Sequence, residues 1–326
     1  MGSPRRLAAP FGAVCMVVFL VSGGARASLA VLSDQETVPG TFSTAASFDT
    51  VAPTVTASVI SKTTPYTPGY IPQGGTYYVY ANVTDGGAAP SGVASVTADV
   101  STITTGQTAV ALVAGSYSIG GVSYGYRSAS VTANATLTAG TYAYSLTAVD
   151  GNANSATQGG FSVIVDNTRP AGSNVQTTNA GVAGRAELGD TITLTFSEPI
   201  DPETVLAGWT GASTSVVLRI TNNAGGDQVT IRNAANTAQL SLGVVNLIGT
   251  GYVAATRDFG ASGTPSTMVM SGSTITITLG TASGGVQTQG SGNNMTWVPT
   301  TTLTDPAGNT CQTTTTTEAT PLDLDF

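Results

Sequence analysis

With 326 residues and 41% hydrophobic content, the chain is long enough to bury two ordinary cores, and about two domains are expected. Only 9% of its residues are Asp, Glu, Lys or Arg, against about 25% in an average domain, so Thr, Ser, Asn and Gly must solvate the surface. There is no histidine, a single lysine (Lys62) and a formal net charge of −8. Those facts exclude Ser-His-Asp and Cys-His machinery and His-built zinc sites, and they disfavour nucleic acid as a partner.

The chain begins with an export-signal pattern: Arg5-Arg6, an apolar run from Phe11 to Val21, and small residues ending in Ala25-Arg26-Ala27. Residues 1–27 are expected to be cleaved, with Ser28-Leu29-Ala30 as a second cleavage candidate and a retained signal anchor as the rival reading. Cys15 follows Val14 rather than a small residue, which argues against a lipid anchor. Cleavage leaves 7 basic and 18 acidic residues, a net charge of −11, and Cys311 as the one remaining cysteine. No intrachain disulfide can then form. No later apolar run is long enough for a helical membrane span. The expected location is therefore secreted, either free or held non-covalently at the cell surface.

Residues 28–48 form an N-terminal segment containing Ser33-Asp34-Gln-Glu36-Thr37 and Gly40-Thr41-Phe42, which runs on to Asp49. It resembles the start of exported proteins of the TasA and camelysin type, which a SipW-like peptidase processes and which include fibre-forming matrix proteins. The match covers residues 30–49 and speaks to the export route. A generic polar linker is the alternative.

From Thr54 onward the pattern is one of strands and turns. Tyr77, Val79, Ala81 and Val83 alternate with polar or aromatic neighbours, as do Tyr142, Tyr144, Leu146 and Ala148, and period two places each set on one face. Further strands are expected at 54–61, 93–100, 109–113, 124–131 and 161–165, about seven in all, the number for a compact sandwich. Asp85-Gly-Gly-Ala-Ala-Pro-Ser91-Gly92-Val93-Ala-Ser-Val96 and Asp150-Gly151-Asn152 resemble the hairpin-closing turns of bacterial immunoglobulin-like repeats in surface proteins. Gly and Asn suit such turns because they accept positive φ.

Two openings match. Asp49-Thr-Val-Ala-Pro53 and Asp166-Asn-Thr-Arg-Pro170 lie 117 residues apart, and each later reaches an Asp turn, Asp150-Gly151-Asn152 and Asp305-Pro-Ala-Gly308-Asn309. The spacing suits one sandwich module and its linker, so one module is expected over 49–167 and a second over 168–326. In the second, Gly189-Asp190-Thr-Ile192-Thr-Leu194-Thr-Phe196-Ser-Glu198-Pro199 resembles the opening of the SbsA-type immunoglobulin-like domain of envelope proteins. Ile192, Leu194 and Phe196 should face inward, as should Val216-Leu218-Ile220, Val229-Ile231 and Ile275-Ile277-Leu279. Phe326 is expected to end the last strand, and the extra length at 240–266 is the expected place for recognition.

Glu198, Asp201 and Glu203 could supply a glycosidase-type carboxylate pair, but a turn with two prolines explains them as solvated acids, with Trp209 the one aromatic nearby. Oxygen-ligand calcium is the remaining metal chemistry. Asp166 and Asn167 at the module junction, with Asp85 or Asp150 folded against them, are the candidate ligands, and ordinary turn capping is the competing account. Tyr78 and Tyr80 either face a partner or glycan or serve strand pairing. The resulting expectation is an all-β protein of two tandem immunoglobulin-like β-sandwich modules behind a cleaved signal peptide. It is expected to have no catalytic residues and no required cofactor beyond the calcium alternative. Its expected role is structural or adhesive at the surface or in the matrix, with an envelope polymer, a glycan or other surface proteins as partners. The alternatives are a fibre subunit assembling through its N-terminal strand and a carbohydrate-binding accessory protein.

Overall fold

A computed structural model describes residues 48–63, 67–319 and 324–326. The export signal, its cleavage sites and the N-terminal segment to residue 47 lie outside the described residues. Among the described residues nearly all regular structure is β, with one four-residue helix, α1 (Pro202–Val205). No helix among the described residues is long and apolar enough to cross a membrane.

The first nine strands build one sheet: β1 (Thr54–Ser61), β2 (Tyr70–Ile71), β3 (Thr76–Thr84), β4 (Val93–Asp99), β5 (Val110–Ile119), β6 (Val122–Ser128), β7 (Val131–Thr132), β8 (Gly140–Asp150) and β9 (Ser155–Val165). Their order is β1-β3-β6-β5-β4-β8-β9-β2, with β7 beside β3. The ladders are antiparallel except for β2, which runs parallel to β9. Alternation explains the packing: Tyr144, Leu146 and Ala148 of β8 are buried while their neighbours are not. They meet Tyr77, Val79 and Ala81 of β3 in one core. A second, smaller core lies on the other side of β3, where Tyr80 packs with Ile119 and Tyr124.

The second sheet takes the rest: β10 (Gly172–Thr178), β11 (Thr191–Phe196), β12 (Thr214–Thr221), β13 (Gln228–Asn233), β14 (Val244–Asn246), β15 (Arg257–Phe259), β16 (Ser266–Ser271), β17 (Thr274–Thr278), β18 (Thr296–Val298) and β19 (Thr316–Thr317). The order is β10-β11-β17-β16-β12-β13-β14-β18-β19, with β15 beside β12. Ile192, Leu194, Phe196, Leu218, Ile220, Ile231, Ile275 and Ile277 all point into one core, as their alternation predicts. Trp297 sits at its centre, its indole N–H donating to Leu242 O at 2.8 Å and its ring meeting Phe196 edge-on at 4.9 Å. Cys311 is buried in the same core.

One expectation changes here. Phe326 ends no strand; it is fully buried, edge-on to Tyr252 at 6.1 Å, and its backbone N–H donates to Thr177 Oγ1. The extra length at 240–266 gives Leu240, Leu242, Leu247, Tyr252 and Phe259 to the core. The carboxylate of Asp227, itself fully buried, fixes that stretch by accepting the N–H groups of Tyr252 and Val253 at 3.1 Å each. No ladder joins the two sheets, and the chain passes from one to the other between Val165 and Gly172. Together Asp49–Phe326 forms one compact unit.

Candidate functional site

Among the described residues, acidic side chains gather in threes at two places, and the sheet register explains both. In the N-terminal half Asp49 precedes β1, and Thr54 of β1 pairs with Thr84 at the end of β3, so the opening Asp meets Asp85 just beyond that strand. Asp150 ends β8 and completes the group, with one carboxylate oxygen from each residue lying within 4.8 Å of the others. In the C-terminal half Asp166 precedes β10, and Gly172 of β10 pairs with Phe196 at the end of β11. That brings Asp166 to Glu198, and Asp305 completes the group within the same 4.8 Å.

The third member of each group sits in the same turn. Asp150 Oδ1 accepts the N–H groups of Asn152 and Asn154, at 2.9 and 2.8 Å, and Asn154 Nδ2 donates to Asp150 Oδ2 and to Asp49 O. Asp305 Oδ1 accepts from the N–H groups of Gly308 and Asn309, at 2.6 and 2.7 Å, and Asn309 Nδ2 donates to Asp305 Oδ2 and to Asp166 O. The unit is therefore Asp, three residues, then Asn. Its fourth position is left-handed, with φ +66° at Ala153 and +102° at Gly308. This corrects the expected turn in the first half: Ala153, not Gly151 or Asn152, takes the positive φ.

The two groups differ in electrostatics. Asp49 accepts Ser91 N–H at 2.7 Å and Val51 N–H at 3.1 Å. The Ser91 backbone N–H, then its hydroxyl, then Val51 N–H hold the Asp49 carboxyl below the ordinary carboxylate range. Glu198 moves the other way. Burial, then the charges of Asp166 and Asp305, push it up to about 7. Asp305 is raised as well, chiefly by burial, with Asn309 and Gly308 opposing that and Asp166 adding to it.

Of the residues expected to share one site, Asp85 and Asp150 lie together with Asp49, whereas Asp166 lies with Glu198 and Asp305. Asn167 joins neither group. Its Oδ1 accepts Gln73 N–H at 2.8 Å and its Nδ2 donates to Leu137 O at 2.8 Å, so its carboxamide ties the linker to the N-terminal half. Sequence reasoning passed over Asp49, Glu198 and Asp305 as ligands. The matched openings and turns were the signal that pointed to two of the three. Asp201 is not a solvated acid: it is 1% exposed, accepts Glu203 N–H at the start of α1, and forms an ion pair with Lys62 Nζ at 3.4 Å. Trp209 is buried, its N–H donating to Ala212 O, and offers no open ring for a sugar. Tyr80 is buried too, while Tyr78 is half-exposed.

Chemically, both groups suit a hard divalent cation, since they offer only oxygen. Each also holds an orphaned atom: Asp85 Oδ1 and Glu198 Oε1 are shut off from solvent and have no hydrogen-bond partner. Because an unpaired buried carboxylate oxygen is costly, the two positions fit a bound cation or proton better than an empty gap. Comparison with known proteins finds neither a family model nor a curated protein that matches this chain.

Proposed function

We propose that this is a secreted, non-catalytic protein of the cell surface or extracellular matrix, built as two immunoglobulin-like modules in tandem, with a structural or adhesive role. The observation that supports it is the grip on the linker between the two sheets. Asp166 N–H donates to Ile71 O and Asn167 bonds Gln73 and Leu137 on one side. On the other, Asn309 bonds Asp166 O, and Arg169 Nε donates to Thr310 O at 2.8 Å. Lys62, from the end of β1, reaches across to Asp201. A linker held on both sides transmits force and orientation, which a surface spacer needs and a freely jointed pair lacks. Spin labels or dyes, one in each half of the mature protein, test this: one narrow distance distribution is expected, and a broad one overturns the reading.

Calcium belongs to this proposal as the filler of the acidic groups. A cation bound by Asp166, Glu198 and Asp305 stabilises the folded junction by mass action, so millimolar calcium should raise the melting temperature above that in chelator, with magnesium as the ionic-strength control. Asp166→Ala should remove the part of the shift that arises at the junction, and Asp49→Ala the part from the first group. No shift in the unaltered protein removes calcium from the proposal.

A further inference from the structure

The outer face of the second sheet carries a regular array that the core does not require. β11 turns Thr191, Thr193 and Thr195 outward while Ile192, Leu194 and Phe196 fill the core, and β17 turns Thr274, Thr276 and Thr278 outward over Ile275 and Ile277. The register sets them side by side, Thr191 with Thr278, Thr193 with Thr276 and Thr195 with Thr274, and no bulge interrupts the pairing. The result is a ladder of threonine pairs, about 4.8 Å apart across the strands, with a rung every ~6.7 Å along them. One rung runs on through both flanks, to Thr178 of β10 on one side and to Thr267 of β16 and Ser215 of β12 on the other. Strand propensity favours threonine at any exposed strand position, yet β12 and β13 of the same sheet turn Val217, Arg219 and Arg232 to this side.

The hydroxyls of the ladder are not spent on the fold. Among the described residues the one side-chain hydrogen bond within it joins Thr193 and Thr276 Oγ1 at 3.4 Å, and the hydroxyls of Thr191, Thr195, Thr274 and Thr278 make none and are open to solvent. Branching at Cβ restricts χ1, and ladders on both sides hold the backbone, so methyls and hydroxyls repeat at fixed places. The outward positions of β11, β16 and β17 hold no charged and no aromatic residue. A charged ligand finds no counter-charge there, and a sugar finds no ring to lie on. A neutral lattice of methyls and hydroxyls matches a solid whose own hydrogen-bonding groups repeat in two dimensions.

We infer that the threonine ladder on β11 and β17 is an ice-binding face. The spacing across the strands is close to the oxygen repeat along the a axis of ordinary ice, so each rung lies over a row of lattice waters, with hydroxyls anchoring them and methyls enclosing them. Each contact is weak, but the sheet has already ordered the groups that make them, which lowers the cost of binding. Twist of about 20–25° between neighbouring strands confines the match to β11, β17 and the strands beside them. The expected activity is therefore slowed recrystallisation of ice rather than a large depression of its freezing point. The face lies in the second sheet and stands independently of any role for the junction or for calcium.

Annealing of polycrystalline ice in a sucrose film containing the mature protein tests this, with an equal mass of albumin as the control. Mean crystal size after annealing should be roughly half that in the control, and the protein should be enriched in a growing ice shell over albumin. Thr276→Lys, which plants a charge in the middle of the ladder, should lose both effects with an unchanged melting temperature. Thr313→Lys, at an exposed position away from the ladder strands, should keep them. Should Thr276→Lys fail to fold, Thr191→Lys at the start of β11 decides in its place. Crystals as large as in albumin, undiminished inhibition in the ladder variant, or an equal loss in Thr313→Lys overturns the inference. Retention on crystalline chitin or cellulose without any effect on ice overturns it as well.

Discussion

The two halves use the same acidic constellation and give it opposite charge behaviour. In each, an opening Asp, an acid beyond the neighbouring strand and an Asp turn converge through the same register. In the first, loop N–H groups from Ser91 and Val51 stabilise the ionised Asp49. In the second, Glu198 has no such donors and lies half-buried beside two other carboxylates, so it holds its proton up to about 7. Sequence punctuation determines where acids meet; the balance between burial and hydrogen-bond donors determines how each ionises, and at Asp305 burial outweighs the donors of Gly308 and Asn309.

The strongest way to break the comparison is to unfold one half and watch the other. Trp297→Ala removes the largest fully buried side chain, and a Trp-to-Ala change in a core costs about 3–5 kcal/mol. Urea denaturation of the full chain should then separate into two transitions, with the first-sheet transition close to its original midpoint. A single, uniformly lowered transition would mean that the halves are one cooperative unit.

A smaller effect tests the equivalence of the two turns. Gly308→Ala puts a side chain at φ +102°, where its Cβ meets only Lys62 atoms at 3.6 Å, so backbone strain of about 1 kcal/mol dominates. Ala153→Gly relieves the same strain in the first half, offset by the greater freedom of glycine in the unfolded chain, and should be neutral to stabilising by under ~1 kcal/mol. A loss for Gly308→Ala beside no loss for Ala153→Gly in chemical denaturation is the expected result.

The smallest effect is the pH profile. Glu198 in the folded chain holds its proton above its ordinary value of 4.5, so the native state binds more protons between about 4.5 and 7. Its contribution therefore falls as pH rises through that window, and Asp305 has the same sign. Asp49, held below 3.8, contributes fully above that value and loses its contribution as pH falls through its folded pKa. Without added metal, the melting temperature should rise on acidifying from pH 8 to 5, and Glu198→Gln should flatten that rise.

Much of the fold was legible because period-two alternation is local. β1 runs over 54–61 as read, and Ile192, Leu194 and Phe196 face the core as their spacing requires. β5 was not legible past Val113: Ala114, Gly115 and Ser116 carry no strand signal, and the strand continues because Tyr117 to Ile119 pair with β6. Phe326 reads as a strand end, yet long-range contacts with Tyr252, Thr177 and Gly184 decide its place. For the acidic groups, the openings and turns were visible in the sequence, but the register that adds Asp85 and Glu198 is a property of paired strands. Grouping Asp85 or Asp150 with Asp166 failed to anticipate that each opening meets the turn of its own half.

Lys62 carries the one ε-amine in the chain, and its side chain, 22% exposed, points from the first sheet to Asp201 in the second. Amine chemistry on this protein is therefore a question about a single place. Acylating reagents, aldehyde fixatives and lysine-directed couplings will find, apart from the chain's own α-amine, only the seam between the halves. A reagent that acylates Lys62 abolishes its charge and its ion pair in the same stroke, so immobilising the protein through a lysine amide alters the joint whose stiffness one would want to measure.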